Sequence, residues 1–330
     1  MIKERKWGLV LAGGGGKGAY QIGVMKALKE YGLLSQIVEV SGSSIGALNA
    51  ILFAQNDMEK IEEIWKGIEP EEILDVSISG TDIVQEIKEK YGVIEDFLDS
   101  ISMDEYLQKA KKEGLCSREG LVNIIEKEVD LQKVIDCPQK IYATIAKMES
   151  GIPVAQYCLL NDKTKEEITQ ILLASSALPV VYDAVEINGI SYRDGGLADN
   201  VPKAPLLADG VQNLIVVRLK KEEMKIEKNS SGVVNYLEIT PSHTLGDFIT
   251  GTIDFSHESI LYRMSLGYYD GMRMLKELEL MEAGMPTEAL DLKMQLMENH
   301  NRAVGDTKRA GLFEQVNAHI NKFKEIESRF

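Results

Sequence analysis

Residues 7–32 read WGLVLAGGGGKGAYQIGVMKALKEYG, and this stretch decides the fold. Its first six residues form a short apolar run that stops at four consecutive glycines, and apolar residues then recur at helical spacing. The pattern predicts a strand at residues 7–12, a tight glycine turn, and a helix at residues 19–31.

The same order of elements repeats in the residues that follow. Residues 37–40 predict a second strand, and the apolar stretch at 44–55 predicts a buried helix. Strands and helices that alternate with short connections predict an α/β fold, in which a mainly parallel central sheet lies between layers of helices. In such sheets ligands bind beyond the carboxyl ends of the strands, where both glycine turns are expected.

The rest of the chain adds helices and a few strands to this frame. The patterns predict helices at 58–66, 81–90, 103–112, 117–128 and 163–175, strands at 140–147, 154–160, 182–187, 190–193 and 213–219, and a charged loop at 220–231. After Asp254 the pattern is helical. We expect one α/β domain at 1–254, with a helical cap or insertion at 57–135, and a helical C-terminal extension at 255–330 packed on the core.

Composition excludes some classes of partner. The 330 residues include 37 Lys and Arg against 52 Asp and Glu, a formal charge of -15 at pH 7. Such a surface repels nucleic acid, and contact with a membrane surface is expected to be transient.

The cysteines and the apolar runs bear on the expected compartment. Cys116, Cys137 and Cys158 lack paired spacing and are expected to be reduced. We find no signal-like or membrane-spanning run, so the cytoplasm is the expected compartment, with leaderless export left open.

Gly42-Ser43-Ser44-Ile45-Gly46 is the strongest chemical signal, a G-x-S-x-G between a predicted strand and a predicted helix. A serine on that sharp turn exposes its hydroxyl at a helix N-terminus, where backbone N–H groups favour developing negative charge. Ser44 is therefore a candidate nucleophile. The structural alternative is a serine that only caps the helix.

The glycine run on the neighbouring loop offers what an acyl-transfer serine needs, because a tetrahedral oxyanion requires N–H donors. Residues 13–18 read GGGGKG and supply consecutive N–H groups without side chains. Lys17, at the start of the next helix, either orients this loop, attracts an anionic head group, or is an ordinary solvated lysine.

Two kinds of general base are compatible with the sequence. The four histidines, His243, His257, His300 and His319, all follow the last predicted strand, so a Ser-His-Asp triad would recruit one from the helical extension. The alternative is a Ser-Asp dyad. Asp194 follows a predicted strand and precedes two glycines, so it either approaches the serine turn as a base or merely begins an Asx turn.

Three separated motifs, LAGGGGKG at 11–18, GSSIG at 42–46 and DGG at 194–196, resemble in order and spacing the signatures of the patatin-like phospholipases. The resemblance covers about residues 7–219, and ITPS at 239–242 with GTIDF at 251–255 extends it to about residue 274. It implies a patatin-like three-layer α/β sandwich and a lipid acyl hydrolase with a Ser-Asp dyad, no metal and no cofactor.

By this resemblance, Ser44 is the nucleophile, Asp194 the base, and the N–H groups of Gly14 and Gly15 form the oxyanion hole. The supporting motif residues are Gly13, Gly16, Lys17, Gly18, Gly42, Gly46, Gly195 and Gly196. Ala12 departs from plant members, which often carry Asp there, with little consequence expected outside the dyad. For Asp199 a capping or surface role is favoured over a role in stabilising the Asp194 loop.

Two other classes of function stay open. Gly13, Gly15 and Gly18 also fit the G-x-G-x-x-G of a dinucleotide-binding module, with Glu39 at the expected distance, but this leaves the Ser44 and Asp194 motifs unexplained. The second is an inactive interaction protein that uses the acidic helical tail. Within the lipid chemistry, the acyl group passes either to water or to another alcohol. The expected partner is a lipid or fatty-acyl ester, whose head group and chain length the sequence leaves open, as it does the oligomeric state.

Overall fold

The computed structural model describes residues 2–74, 117–179, 181–228 and 234–285. Within these ranges nine strands form one sheet. They are β1 (Trp7–Leu11), β2 (Ile37–Ser43), β3 (Lys140–Glu149), β4 (Ile152–Leu159), β5 (Val185–Ile187), β6 (Ile190–Asp194), β7 (Leu214–Val217), β8 (Lys225–Lys228) and β9 (Val234–Ile239). Their order is β5-β6-β3-β2-β1-β7-β9-β8, with β4 paired to β3.

Helices follow most of the parallel strands. The α-helices in the described ranges are α1 (Ala19–Glu30), α2 (Ile45–Phe53), α3 (Met58–Lys66), α4 (Pro70–Leu74), α5 (Glu119–Glu128), α6 (Leu131–Ile135), α7 (Lys165–Ser175), α8 (Ala204–Ala208) and α9 (His257–Glu282). A capping box begins α7, where Thr164 accepts from the Glu167 N–H and Glu167 accepts from the Thr164 N–H. A π-helical turn at Phe248–Thr252 precedes α9.

The centre of the sheet is parallel and buried on both faces. Strands β1, β2, β3, β7 and β9 run in one direction. Along β1, Leu9 and Leu11 join the larger core, whereas Val10 packs on the opposite face with Leu206 of α8. Burial on both faces explains why β1 and β7 read as unbroken apolar runs. The predicted α/β class with a mainly parallel sheet is confirmed.

Strand β3 brings two strand ends together on one of its edges. The first half of that edge pairs with β2, where Ser43 lies opposite Thr144. The second half pairs with the antiparallel β6, where Asp194 lies opposite Ile145, while β4 takes the other edge. The carboxyl ends of β2 and β6 therefore point towards each other at adjacent positions of β3.

The segment after β7 differs from the prediction. The predicted loop at 220–231 contains β8, and β9 follows it, so placing the last strand at 213–219 is wrong. Strand β8 is a largely exposed edge strand that needs no apolar alternation. Strand β9 carries Glu238, whose carboxylate is held by Arg218, and a charged residue inside a strand obscures the apolar pattern.

Helix α9 packs along α1 at close range. A Cβ on Gly267 would lie 1.9 Å from the Tyr20 carbonyl oxygen, and one on Gly23 would lie 1.9 Å from that of Met264, so these glycines let the two backbones touch. The Tyr20 hydroxyl also donates to Asp270 at 3.1 Å. The described part of the predicted extension thus packs on the core. Residues 286–330 and the predicted helices at 81–90 and 103–112 lie outside the described residues.

Two further sequence expectations concern cysteines and membranes. Cys137 and Cys158 are free thiols, and Cys116 lies outside the described residues. In the part of the chain that the structure describes, no helix combines the length and the apolar character needed to cross a bilayer.

Candidate active site

The juxtaposed ends of β2 and β6 bring a hydroxyl to a carboxylate. Ser44 follows β2 directly, and Asp194 is the last residue of β6. The Ser44 Oγ donates a hydrogen bond to Asp194 Oδ2 at 2.6 Å. The two residues that the sequence motifs single out are thus in direct contact, although 150 positions separate them in the chain.

The backbone of Ser44 is held in an unusual conformation. Its φ of 54° and ψ of -125° place the side chain on a sharp turn between β2 and α2, and it makes no capping hydrogen bond to that helix. Crowding explains the flanking glycines, because a Cβ on Gly42 would lie 2.1 Å from the Gly46 carbonyl oxygen, and one on Gly46 would lie 2.1 Å from that of Leu11.

Ser175, at the end of α7, fixes the backbone of the serine turn. Its hydroxyl accepts the Ser44 N–H at 3.0 Å and donates to the Thr144 carbonyl of β3 at 2.7 Å. Ala177, two residues after Ser175, holds the backbone of Asp194, because its carbonyl accepts the Asp194 N–H at 3.1 Å. Sequence reasoning missed Ser175, because no spacing rule links residue 175 to residue 44.

Asp194 is a buried carboxyl that forms no salt bridge with the described residues. Only 4% of its surface is exposed, and it makes no ion pair with any described residue. Burial raises its pKa to about 6, although the hydrogen bonds from the Ser44 hydroxyl and the Gly196 N–H oppose this shift. The Gly196 N–H donates to Asp194 Oδ1 at 2.7 Å. Asp194 therefore makes the Asx-type contact and the contact to Ser44 at the same time.

The glycine loop lies beside this pair. The Gly13 N–H donates to the Asn200 carbonyl at 3.2 Å, so it is already occupied. The N–H groups of Gly14 and Gly15 donate to no other described residue, and both glycines line the same cavity as Ser44. These two N–H groups are available to a developing oxyanion.

Gly15 cannot carry a side chain in this arrangement. Its φ is +56°, and a Cβ would lie 2.0 Å from the Thr252 carbonyl oxygen.

A buried network of side-chain hydrogen bonds holds both ends of the glycine loop. Asn49 Nδ2 donates to the Gly18 carbonyl at 3.1 Å and to Gln21 Oε1 at 2.7 Å, and Gln21 Nε2 donates to the Ala12 carbonyl at 2.7 Å.

An apolar cavity of about 470 Å³ opens onto Ser44 and the glycine loop. Helices α2, α3 and α5 and the segment before α9 contribute most of its wall. The larger apolar side chains are Ile45, Leu48, Ile51, Leu52, Ile64, Trp65, Ile68, Ile73, Leu121, Ile124, Ile125, Val129, Leu178, Val181, Tyr182, Leu197, Leu219, Phe248, Ile253 and Phe255. Such a surface favours a long hydrocarbon group over a polar ligand.

Two lysines line the same cavity. Lys17 is partly buried and makes no ion pair with a described residue, and neither does Lys220. Burial lowers the pKa of Lys17, Arg263 and Lys220 act in the same direction, and Asp247 opposes them. Lys17 is therefore not an ordinary solvated lysine.

Asp199 and Asn200 tie the Asp194 loop to its surroundings. Asp199 accepts the Tyr157 hydroxyl at 2.8 Å and the Val201 N–H at 3.1 Å, so it caps a turn and also anchors the loop to β4. Asn200 joins the loop to Gly13 through two hydrogen bonds, one from the Gly13 N–H to its carbonyl and one from its Nδ2 to the Gly13 carbonyl.

The other candidate residues lie elsewhere. Of the described histidines, His243 lies beside Ser242 and His257 lies beside the Lys66 carbonyl, and neither lines the cavity. His300 and His319 lie outside the described residues. Glu39 is near the amino end of β2, 3.6 Å from Lys140, whereas a dinucleotide would bind beyond the carboxyl ends of the strands. The dinucleotide alternative is disfavoured.

Fold and site together define an α/β protein with a serine-aspartate pair beside a glycine-rich loop. A family model described as Patatin-like phospholipase matches residues 9–207, and the chain belongs to that family. The resemblance seen in the three sequence motifs is confirmed. In a solved structure of VipD from Legionella pneumophila the fold is similar, with a TM-score of 0.52 and 14% identity over 98% of this chain and 80% of that one.

Curated relatives match at low identity. Patatin-like phospholipase domain-containing protein 2 of Mus musculus is 23% identical over 339 residues, which cover 95% of this chain and 59% of that protein. 1-acylglycerol-3-phosphate O-acyltransferase PNPLA3 of Homo sapiens is 27% identical over 204 residues, 60% of this chain and 35% of that protein. This chain therefore spans less than two thirds of the length of either relative.

Proposed function

We propose that this protein is a serine lipid acyl hydrolase of the phospholipase A or lysophospholipase type. Ser44 is its nucleophile, Asp194 its base, and the N–H groups of Gly14 and Gly15 its oxyanion hole. The observation that carries the proposal is the 2.6 Å hydrogen bond from Ser44 Oγ to a buried carboxylate that has no cation of its own among the described residues.

The reaction has two stages. Asp194 takes the Ser44 proton as the hydroxyl oxygen attacks the ester carbonyl, and the alcohol leaves with that proton to give an acyl-enzyme. Asp194 then takes a proton from water, which attacks the acyl-enzyme, and the fatty acid leaves as Ser44 regains a proton. Each stage forms a tetrahedral oxyanion, and one well-aimed donor is worth about 2.7 to 4 kcal/mol to it.

The cavity supports a lipid as the substrate. Its volume of about 470 Å³ and its aliphatic wall suit a fatty-acyl chain, and each methylene group buried there contributes about 0.8 kcal/mol. Family membership and the names of the relatives point to the same chemistry. Lys17 and Lys220 supply positive charge in the same cavity, next to the loop that receives the oxyanion.

The proposal is tested on Ser44 with its neighbour as the control. We expect Ser44→Ala to abolish both hydrolysis of a chromogenic fatty-acyl ester and covalent labelling by a fluorophosphonate, because no other described residue offers a hydroxyl to Asp194. Ser43→Ala is the matched control, since the buried Ser43 hydroxyl has no hydrogen-bond partner among the described residues. It should leave activity within about twofold.

Three outcomes would go against this assignment. Full activity in Ser44→Ala removes Ser44 from the mechanism, and equal loss in Ser43→Ala points to damage to the turn. A wild-type protein that is never labelled favours the inactive interaction protein. Incubation with mixed lipids, read by mass spectrometry, separates transfer to water from transfer to another alcohol.

A further inference from the structure

Arg263 of α9 is among the most buried charged side chains in the described structure, and the proposed mechanism does not use it. Only 2% of its surface is exposed. Its guanidinium donates to the Asp254 carbonyl at 2.6 Å, to the Thr250 carbonyl at 2.7 Å and to Asp254 Oδ2 at 2.9 Å. One side chain thus gathers three acceptors from the segment that leads into α9.

That segment forms the wall against which the glycine loop rests. A Cβ on Gly15 would lie 2.0 Å from the Thr252 carbonyl oxygen, and one on Gly16 would lie 2.1 Å from the Asp254 carbonyl oxygen. The same Asp254 carbonyl accepts from Arg263, whose Nη1 would lie 3.1 Å from a Cβ on Gly16. The Thr252 and Asp254 carbonyl groups therefore lie directly against Gly15 and Gly16, and the Arg263 guanidinium lies directly against the Asp254 carbonyl group.

The glycine loop and the segment at 250–254 are both anchored to α9. Helix α1 follows the glycine loop directly and packs on α9 through the Gly23 and Gly267 contacts. Asp247 caps the π-helical turn by accepting the Thr250 N–H at 2.7 Å, which fixes the start of the wall. The segment from 247 to 267 therefore supplies the surface that Gly15 and Gly16 contact.

We infer that Arg263 is a positioning residue for the oxyanion hole: it binds the carbonyl groups of Thr250 and Asp254, on either side of Thr252, and so holds the Thr252 and Asp254 carbonyl groups against Gly15 and Gly16. This inference rests on the proposed function. An oxyanion donor acts through its direction and distance, so a loop that relaxes by a few tenths of an ångström loses transition-state stabilisation without losing the substrate site. Arg263 touches neither the dyad nor the substrate, so it is not a catalytic residue.

The test compares Arg263 with a second buried arginine of α9. Arg273 is 7% exposed and is paired with Asp270 at 2.9 Å, and it makes no contact with the glycine loop. Arg263→Lys and Arg273→Lys are therefore matched changes, because each keeps the charge and replaces the planar guanidinium by a single ammonium. Arg263→Met removes the donors altogether.

The readout is the rate ratio between a fatty-acyl ester and its thionoester, in which sulfur replaces the carbonyl oxygen. Sulfur is a poor acceptor for oxyanion N–H donors, so this ratio reports their alignment. We expect Arg263→Lys to lower kcat for the oxygen ester about tenfold and Arg263→Met about a hundredfold, with KM within about threefold and the ratio falling in parallel. Arg273→Lys should leave kcat, KM and the ratio within about twofold of the wild-type values. We expect this even if the melting temperature of Arg273→Lys falls as much as that of Arg263→Lys.

The outcomes separate this inference from the proposed function. Unchanged kcat and an unchanged ester ratio in folded Arg263→Lys and Arg263→Met overturn the positioning role. An equal fall of both quantities in Arg273→Lys also overturns it, because the effect would then belong to α9 as a whole. If Ser44→Ala retains activity, the proposed function fails instead. If Arg263→Met does not fold, the Arg263→Lys and Arg273→Lys pair decides the question.

Discussion

The two halves of the candidate site are held in place in different ways. The serine-aspartate pair is set by the sheet, since β2 and β6 end at adjacent positions along the same edge of β3. The glycine loop is set by contacts with a late segment, chiefly the carbonyl groups of Thr252 and Asp254. Strand pairing fixes a position through many cooperative hydrogen bonds, whereas side chains of the described residues bond only the ends of the loop, at Gly13 and Gly18, and its middle at Gly15 and Gly16 rests on a few van der Waals contacts. We therefore expect the pair to be robust and the loop to be sensitive to distant substitutions.

The largest effect is expected from changing the base without disturbing the sheet. In Asp194→Asn the amide oxygen can accept the Gly196 N–H and the amide NH2 can face Ser44 Oγ, so both contacts survive while the proton acceptor is lost. We expect kcat/KM to fall by about 10³-fold or more. Steady-state hydrolysis of a fatty-acyl ester measures the fall, and activity near the wild-type value would exclude Asp194 as the base.

The pH dependence follows from the same carboxyl. Its pKa rises from 3.8 to about 6 through burial, so wild-type kcat/KM should decline as the pH falls below about 6, where Asp194 becomes protonated.

The raised pKa of Asp194 also affects stability. Because the folded state binds this proton more tightly than the unfolded chain, the contribution of Asp194 to the free energy of unfolding decreases as the pH rises from 3.8 to about 6. Asp194→Asn lacks the buried charge and should melt at an equal or higher temperature than the wild type at pH 8. A much lower melting temperature would mean that the fold, and not the chemistry, had been damaged.

A smaller effect is expected on the loop side from Gly15→Ala. A Cβ at that position meets the Thr252 carbonyl oxygen at 2.0 Å, so the loop or the wall must move and the N–H groups lose their aim. We expect kcat to fall about a hundredfold, measured with the same ester. Gly32→Ala is the control, because Gly32 has a φ of +81° and a Cβ there meets nothing within 4 Å. Both variants carry about 1 kcal/mol or more of left-handed strain, so equal losses of activity would refute the contact argument.

What the sequence could predict follows the same division. Local periodicity was sufficient to predict β1, α1, α2 and the α/β class. The motifs were sufficient to single out Ser44 and Asp194 as candidates, because both lie at strand ends with glycine neighbours. Strands β8 and β9 escaped prediction, since one is exposed at the edge and the other carries Glu238 among its apolar residues. Charge on an edge strand is common and does not register as a period of two.

The residues that support the site could not be predicted from local pattern. Ser175, Asn200 and Arg263 act through contacts to Ser44, Gly13 and Asp254, and only the fold brings them there. Arg263 lies in the extension that the sequence predicts to pack on the core, but the mixed charge of that segment does not indicate which charged side chain is buried, and Arg263 is almost completely buried. A hydrogen bond from a side chain to a backbone group far away in the chain requires no fixed spacing between the two residues. The sequence motifs of the site therefore do not reveal these supporting residues.

Ser175 provides the smallest and sharpest test, because it is where the sheet-held pair itself depends on a single side chain. Ser175→Ala removes the acceptor of the Ser44 N–H and the donor to the Thr144 carbonyl, while the strand register stays intact. The hydroxyl of the neighbouring Ser176 donates to the Leu172 and Leu173 carbonyl groups of its own helix and does not bond the serine turn, so Ser176→Ala is a matched loss of one buried hydroxyl. We expect Ser175→Ala to slow fluorophosphonate labelling of Ser44 about tenfold, in line with one net hydrogen bond, and Ser176→Ala to change it by less than about twofold. If Ser175→Ala instead reacts at the wild-type rate, strand pairing alone holds the serine turn, and the dyad is even less dependent on its surroundings than the contrast with the glycine loop implies.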